Sequence, residues 1–316
     1  MDNFLTTEEV ARRLQLHQNT VVRYIREGKL PATKVGKGFR IKESALAHLV
    51  GPAEAPDGSA RIVAVANQKG GVAKTTTAVN LAASLGAGAK RVLLVDLDPQ
   101  GGCAVCLGLD TSSHQKTIYD VLINSKVDVA TVVTQTAFGF DLVPANIDLA
   151  GAEVELKQVL AQESVLKRCL KSILQTYDYI VIDTPPSLGI LTVNALTAAR
   201  YVLIPVACEY MALRGLSRLL ETIDNVQAVT NPNLTILGVL ATKYDGRTVN
   251  SREIYEYLRE ICQKADLKLF NEVIKLSVRI TEAPNYGKPL VHLHPELDGA
   301  RAYDQLAQEI LVSTAG

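Results

Sequence analysis

The stretch Ile62-Val63-Ala64-Val65-Ala66-Asn67-Gln68-Lys69-Gly70-Gly71-Val72-Ala73-Lys74-Thr75-Thr76-Thr77 decides how this chain is read. Its first five residues form an unbroken apolar run, the pattern of a strand buried on both faces. The two glycines let backbone N–H groups approach an anion closely, and the helix expected over 76–85 turns its positive N-terminal end toward the same point. Such a loop cradles phosphate oxygens. Lys74 is spaced to reach the β- and γ-phosphates of a nucleotide, and Thr75 to ligate Mg²⁺. The standard pattern GxxxxGK[ST] is not met, because Gln68 and Ala73 occupy its two glycine positions. What carries the reading is the order of strand, Gly-Gly, Lys-Thr and helix, together with a second lysine at Lys69.

Outward from this loop the pattern repeats. Apolar runs at 92–95, 179–182, 201–204 and 236–240 alternate with amphipathic segments at 213–229 and 251–262. Alternation of strand and helix predicts an α/β domain with a mostly parallel sheet and helices on both faces. Ligands of such sheets bind beyond the carboxyl ends of the strands, where the Gly-Gly loop stands.

The 316 residues suffice for one large α/β domain and a small module, and 47% of them are hydrophobic. A segment rich in Pro, Gly and Ala, 51–60, reads as a linker between a module at 1–50 and a domain at 61–316. The formal net charge is zero, yet it is unevenly spread. Residues 1–50 hold nine Lys/Arg against five Asp/Glu, so this segment is +4 and the remainder −4. A phosphate backbone responds to such local charge. Five scattered cysteines do not form a disulfide framework. With no signal-peptide pattern and no apolar run of spanning length, the expected setting is cytoplasmic, without a membrane partner.

The module at 1–50 reads as helix, turn, helix and hairpin. Thr6 or Thr7 caps a helix bearing Val10, Ala11 and Leu14; a turn at 16–19 leads to a second helix ending near Gly28; Gly36-Lys37-Gly38 tips a hairpin over 30–42. It resembles the winged helix-turn-helix of excisionase and MerR-type proteins. That resemblance makes Gln18, Asn19, Thr20 and Arg23 candidates for base edges, and Lys37 and Arg40 for the backbone. The bland alternative is a charged helical module used for protein contacts.

In the larger domain, Lys69-Gly-Gly-Val-Ala-Lys-Thr-Thr76 is similar to the deviant Walker A motif, usually KGGVGKTT, of the ParA/MinD class of P-loop ATPases. The likeness continues through Leu93–Gly101 (LLVDLDPQG, the A′ segment) and Tyr179–Pro186 (YIVIDTPP, Walker B and switch II). The segments Pro205–Tyr210 and Glu282–Pro289 favour the ParA branch over MinD. The similarity runs over about 61–312, and its five ordered motifs are highly specific.

The resemblance implies ATP and Mg²⁺ as ligands, held by Lys69, Gly70, Gly71, Val72, Ala73, Lys74, Thr75 and Thr76. It places Thr75, Asp96 and Asp183 at the metal, Asp96 in its outer shell, and gives Asp98 the orienting or deprotonation of the attacking water. Lys69 would reach across a homodimer interface to the partner's nucleotide, and Lys74 would bind its own. Arg247 and Arg279 fall at family positions that bind DNA without sequence preference. The implied function is partition of a chromosome or plasmid by an ATP-sandwich dimer, nucleoid-associated, that hydrolyses ATP on stimulation by a ParB-like protein. The added module suggests site-specific autorepression. A nucleotide-switched transcription regulator and a positioner of protein cargo are the rivals.

Four departures from the family pattern stand out. Ala73 is harmless if its φ is helical and strained if its φ is positive. Gly102 and Cys103 replace the usual Asn-Ala, Arg214 replaces an acidic residue, and Lys275 replaces a proline. Cys103-Ala-Val-Cys106 is read as packing, not as a metal or redox pair. His292-Leu-His294 is placed at a strand end, and the C-terminal helix, with Tyr303, Leu306 and Ile310 on one face, is read as core.

Overall fold

The computed structural model describes residues 4–13, 21–22, 25, 30–36, 38–42, 59–110, 116–159, 161–210 and 213–314. They fall into two compact units, Met1–Asp57 with Asn225–Asn233, and Gly58–Asp224 with Leu234–Gly316.

In the small unit, strands β1 (Phe4–Thr6), β2 (Thr33–Val35) and β3 (Gly38–Lys42) form an antiparallel sheet in the order β1-β3-β2. The β2–β3 pair is the expected hairpin; β1, for which the sequence offers no strand pattern, pairs Leu5 with Ile41 along its far edge. Helix α1 (Thr7–Arg13) starts in a reciprocal cap: Thr6 Oγ1 accepts the Glu9 N–H at 3.2 Å and Glu9 Oε2 accepts the Thr6 N–H at 2.7 Å. That is a capping box, with Thr6 the cap. Val10, Ala11, Val21, Leu30 and Ile41 make the core.

The large unit carries eight strands: β4 (Arg61–Val65), β5 (Val92–Asp96), β6 (Thr134–Gln135), β7 (Asp141–Val143), β8 (Tyr179–Asp183), β9 (Tyr201–Ala207), β10 (Thr235–Tyr244) and β11 (Leu269–Lys275). Their order is β11-β10-β9-β4-β8-β5-β7-β6, parallel except for β6 against β7. The sheet is flanked by helices, as the alternating pattern requires. The five apolar runs are its five central strands. The short β6 and β7 and the half-exposed β11 lack such a run, and for that reason periodicity does not reveal them.

The topology fixes where a ligand belongs. From β4 the chain order runs one way through β8 and β5 and the other way through β9 and β10, so β4 stands at a switch point, with a crevice outside its carboxyl end. Helix α2 (Lys74–Ala87) starts there and is buried over most of its length. It leans on the C-terminal helix α3 (Asp298–Ser313), whose Tyr303, Leu306 and Ile310 are fully buried. Ser84 Oγ donates to Asp304 Oδ1 at 2.6 Å between the two. That helix is core, as its apolar spacing indicates. Among the described residues no helix is long and apolar enough to cross a membrane. The His292-Leu-His294 segment is not a strand end: Leu290–Leu293 is a short helix, entered from Pro289.

Candidate functional site

The loop between β4 and α2 is tied down at both shoulders. Asn67 is buried; its Nδ2 donates to the Pro205 carbonyl at 2.7 Å and its Oδ1 accepts the Lys69 N–H at 3.0 Å. Thr242 Oγ1 donates to the Val72 carbonyl at 3.1 Å. The neighbouring strands β9 and β10 thereby hold the crest of the loop. Gly71 has φ +71°, which explains why glycine stands there. Ala73 has φ 67° and ψ 33°, the left-handed region. The unfavourable alternative is therefore realised: Ala73 takes a left-handed backbone where the family pattern has glycine, at a steric cost of about 1–2 kcal/mol.

Lys74 is buried and its Nζ donates to the Lys69 carbonyl at 3.1 Å, drawing the two ends of the loop together. Burial lowers its pKa, against the opposing pull of Asp183 and Asp98. A polyphosphate bound here would restore the charge that burial disfavours.

Register places the carboxylates. Asp96 ends β5 and Asp183 ends β8, and the two are paired across the ladder. Both are fully buried, and both carboxyl groups are pushed upward, first by burial and then by neighbouring charge. Thr75 Oγ1 donates to Asp183 Oδ2 at 2.6 Å, while Asp183 Oδ1 is buried with no hydrogen-bond partner among the described residues. An orphaned buried carboxylate oxygen beside a hydroxyl is costly alone and suits a hard cation. The residues therefore fit Mg²⁺. Asp96 is engaged differently: Oδ1 accepts the Asp98 N–H at 2.9 Å and Oδ2 the Cys103 N–H at 3.0 Å. These two backbone hydrogen bonds shape the A′ turn. Asp98 is half-exposed, and its Oδ1 accepts the Gln100 N–H at 3.0 Å.

Cys103 Sγ lies 3.7 Å from Asp183 Oδ2 in the same buried cluster. Burial pushes its thiol well up, so it is a packed protonated thiol and a poor partner for Mg²⁺. A Cβ at Gly102 would stand 3.1 Å from Thr75 Cγ2, so this departure leaves room beside Thr75.

Lys69 is not free. Its Nζ donates to Glu209 Oε2 at 2.8 Å, and Lys243 Nζ lies 3.6 Å from Glu209 Oε1. Sequence reasoning singles out neither Glu209 nor Lys243 for this site. Glu209 lies inside a family motif without a role of its own, and Lys243 lies outside the motifs. Asn67 carries a readable signal: a polar residue directly after a buried strand.

Of the residues expected at DNA, Arg40 is exposed on β3, opposite Thr6 and Thr33. Gln18, Asn19, Thr20, Arg23 and Lys37 lie outside the described residues, as does the Arg214 side chain. Arg247 is 85% exposed and forms a two-pronged pair with Asp245, Nε–Oδ1 at 2.8 Å and Nη2–Oδ2 at 2.9 Å. Arg279 is exposed on the short helix Val278–Glu282. Lys275 ends β11 and pairs with Asp298 at 2.8 Å.

Comparisons with known proteins bear on the family and the fold. Residues 60–236 match a family described as an AAA domain, and residues 4–50 a helix-turn-helix domain. The chain is 46% identical over 250 residues to the sporulation initiation inhibitor protein Soj of Bacillus subtilis, covering 79% of this chain and 98% of Soj. It is 43% identical over 253 residues to the chromosome partitioning protein ParA of Caulobacter vibrioides, covering 79% and 94%. Among solved structures, cobyrinic acid a,c-diamide synthase of Mycobacterium smegmatis, with a bound ATP analogue and magnesium, superposes with a TM-score of 0.71 at 39% identity, covering 81% of this chain and 97% of that one.

Proposed function

The chain belongs to the ParA/Soj family of partition-type ATPases, and we propose that it binds Mg²⁺-ATP at the β4–α2 loop to form a sandwich homodimer that holds DNA without sequence preference. Hydrolysis follows when a ParB-like protein engages the dimer, and the cycle segregates a plasmid or chromosome. The setting is cytoplasmic and nucleoid-associated. The observation that carries the reading is the hydrogen bond of the half-buried Thr75 to the buried Asp183, whose other oxygen is left without a partner among the described residues, at the loop that bears Lys69 and Lys74.

Each residue has its part in this reading. The N–H groups of Gly70 through Thr76 and the Lys74 ammonium bind phosphate. Thr75 and Asp183 hold Mg²⁺, which neutralises phosphate charge when bound. Asp96 keeps the A′ turn in shape through its two backbone hydrogen bonds. Asp98, at the open end of that turn, orients the attacking water. Lys69 completes the partner's nucleotide site. Arg247 and Arg279 neutralise backbone phosphates; the chain divides into a module at 1–50, a linker and an ATPase domain at 61–316, and the module reads a specific site with Gln18, Asn19, Thr20 and Arg23 while Lys37 and Arg40 steady it on the backbone. The match of residues 4–50 to a helix-turn-helix domain also favours a second reading, a transcription regulator switched by nucleotide.

The test is DNA binding with random and own-locus duplexes, with and without ATP. The partition reading expects ATP-dependent binding to random DNA that survives deletion of residues 1–50. Binding that vanishes with that deletion, and ignores ATP otherwise, would overturn it in favour of the regulator.

A further inference from the structure

Glu209 lies just past the carboxyl end of β9, the strand between β4 and β10. Its two carboxylate oxygens face two different ammonium groups. Oε2 takes Lys69, from the loop after β4, at 2.8 Å; Oε1 faces Lys243, from the end of β10, at 3.6 Å. Lys243 has φ 51°, an unfavoured backbone for a long L side chain, and its Nζ rests 3.8 Å from where a Cβ on Gly71 would stand. The three side chains remain 28%, 48% and 34% exposed in the order Lys69, Glu209, Lys243. Exposed pairs of this kind are weak, so what they hold can exchange.

We propose that Glu209 and Lys243 are positioning residues for Lys69: Glu209 parks the lysine on its own chain, and Lys243 takes over the carboxylate when Lys69 leaves for the partner's nucleotide. This rests on the reading that Lys69 acts across the dimer. Glu209 lowers the affinity of dimerisation by competing for Lys69. Lys243 lessens that competition, because with it present the departing lysine does not leave a carboxylate unpaired. Neutralising Glu209 therefore frees Lys69. Removing Lys243 makes Lys69 harder to release, but only while Glu209 is charged.

The last clause separates this arrangement from a general field of positive charge at the loop. A field effect of Lys243 persists whatever stands at 209, whereas a relay through Glu209 disappears with it. The measurement is the dimer dissociation constant of the full-length protein by sedimentation, at saturating Mg²⁺ and a non-hydrolysable ATP analogue. E209Q should tighten the dimer about threefold and K243M should loosen it about threefold. The double variant E209Q/K243M should match E209Q alone, and in a K69A background both changes should be silent. Loosening by K243M that persists beside E209Q overturns the relay, as does an E209Q dimer no tighter than the parent. A K69A protein that dimerises as the parent does fails one step earlier: it removes the cross-dimer role of Lys69, on which the relay rests.

Discussion

The two ends of the phosphate loop are built on opposite terms. At the Lys74–Thr75 end the groups are largely buried, and hydrogen bonds fix them: Thr75 to Asp183 at 2.6 Å, Lys74 to the Lys69 carbonyl at 3.1 Å. At the Lys69 end the contacts are ion pairs at the surface, shared among three long side chains. Low-dielectric surroundings make the first set strong and expensive to break, whereas solvent screens the second. One end suits a binding platform that does not move, and the other a group that changes partner. Arg247 and Arg279 belong with the second kind: both are exposed, and Arg247 is held by its neighbour Asp245.

The contrast breaks first if the buried end tolerates change. Lys74→Ala or Asp183→Ala should weaken Mg²⁺-ATP binding roughly a hundredfold or more, because each strands a buried charge or removes the cation's carboxylate. Isothermal titration reads this directly, and a loss below about tenfold would show the platform to be less rigid than its hydrogen bonds imply. Asp98→Ala should leave binding intact while lowering partner-stimulated turnover by about 10²–10⁴; equal turnover in the two proteins would remove Asp98 from its role.

The buried carboxyls also give the site a pH dependence. Burial raises the Asp183 carboxyl above its ordinary range, so the folded chain holds that proton more tightly than the unfolded one. The stability is fully present below the unfolded carboxylate pKa, about 4, and is lost as pH rises toward the raised value. Melting temperature in EDTA should therefore fall from about pH 5 to about pH 8. Over the same range the stabilising shift from Mg²⁺-ATP should grow, since the cation takes the ionised form. Asp183→Asn should flatten both trends.

Smaller effects sharpen the exposed side. Arg247→Ala and Arg279→Ala should each reduce the salt slope of ATP-dependent binding to random duplex by about 0.9 for each phosphate left without its arginine. Unchanged slopes would assign these arginines to another surface function. The smallest expected change is Ala73→Gly. Relief of the left-handed backbone gains about 1–2 kcal/mol, and the greater freedom of glycine in the unfolded chain returns about 0.4–1 kcal/mol of it. A net gain of about 0.5 kcal/mol should appear in chemical denaturation. A loss would mean that the Ala73 methyl makes a contact worth more than the strain.

Much of this architecture is legible in the sequence. The five central strands announce themselves as unbroken apolar runs, since a parallel strand covered on both faces leaves no polar alternation. The C-terminal helix shows its buried stripe at Tyr303, Leu306 and Ile310, and a threonine cap is legible before the first helix, though the choice of Thr6 over Thr7 came from the structure. Strands β6, β7 and β11 are not legible, because two are very short and the third is half-exposed. The His292–His294 segment misleads, since two histidines around a leucine imitate a strand over too short a span to exclude a single helical turn.

The sequence by itself determined the phosphate loop, the alternation that forces an α/β sheet, and the family to which the chain belongs, because all three are written in contiguous spacing. Only the tertiary structure decided what meets at the loop. Asp96 and Asp183, far apart in the chain, become neighbours because β5 and β8 pair in one register. Glu209 comes to face both Lys69 and Lys243 because β9 lies between β4 and β10 in the sheet order. The sign of φ at Ala73 was decided there as well. Alanine tolerates either backbone region at modest cost, so the residue alone leaves that sign open, and the neighbouring strands that anchor the loop settle it.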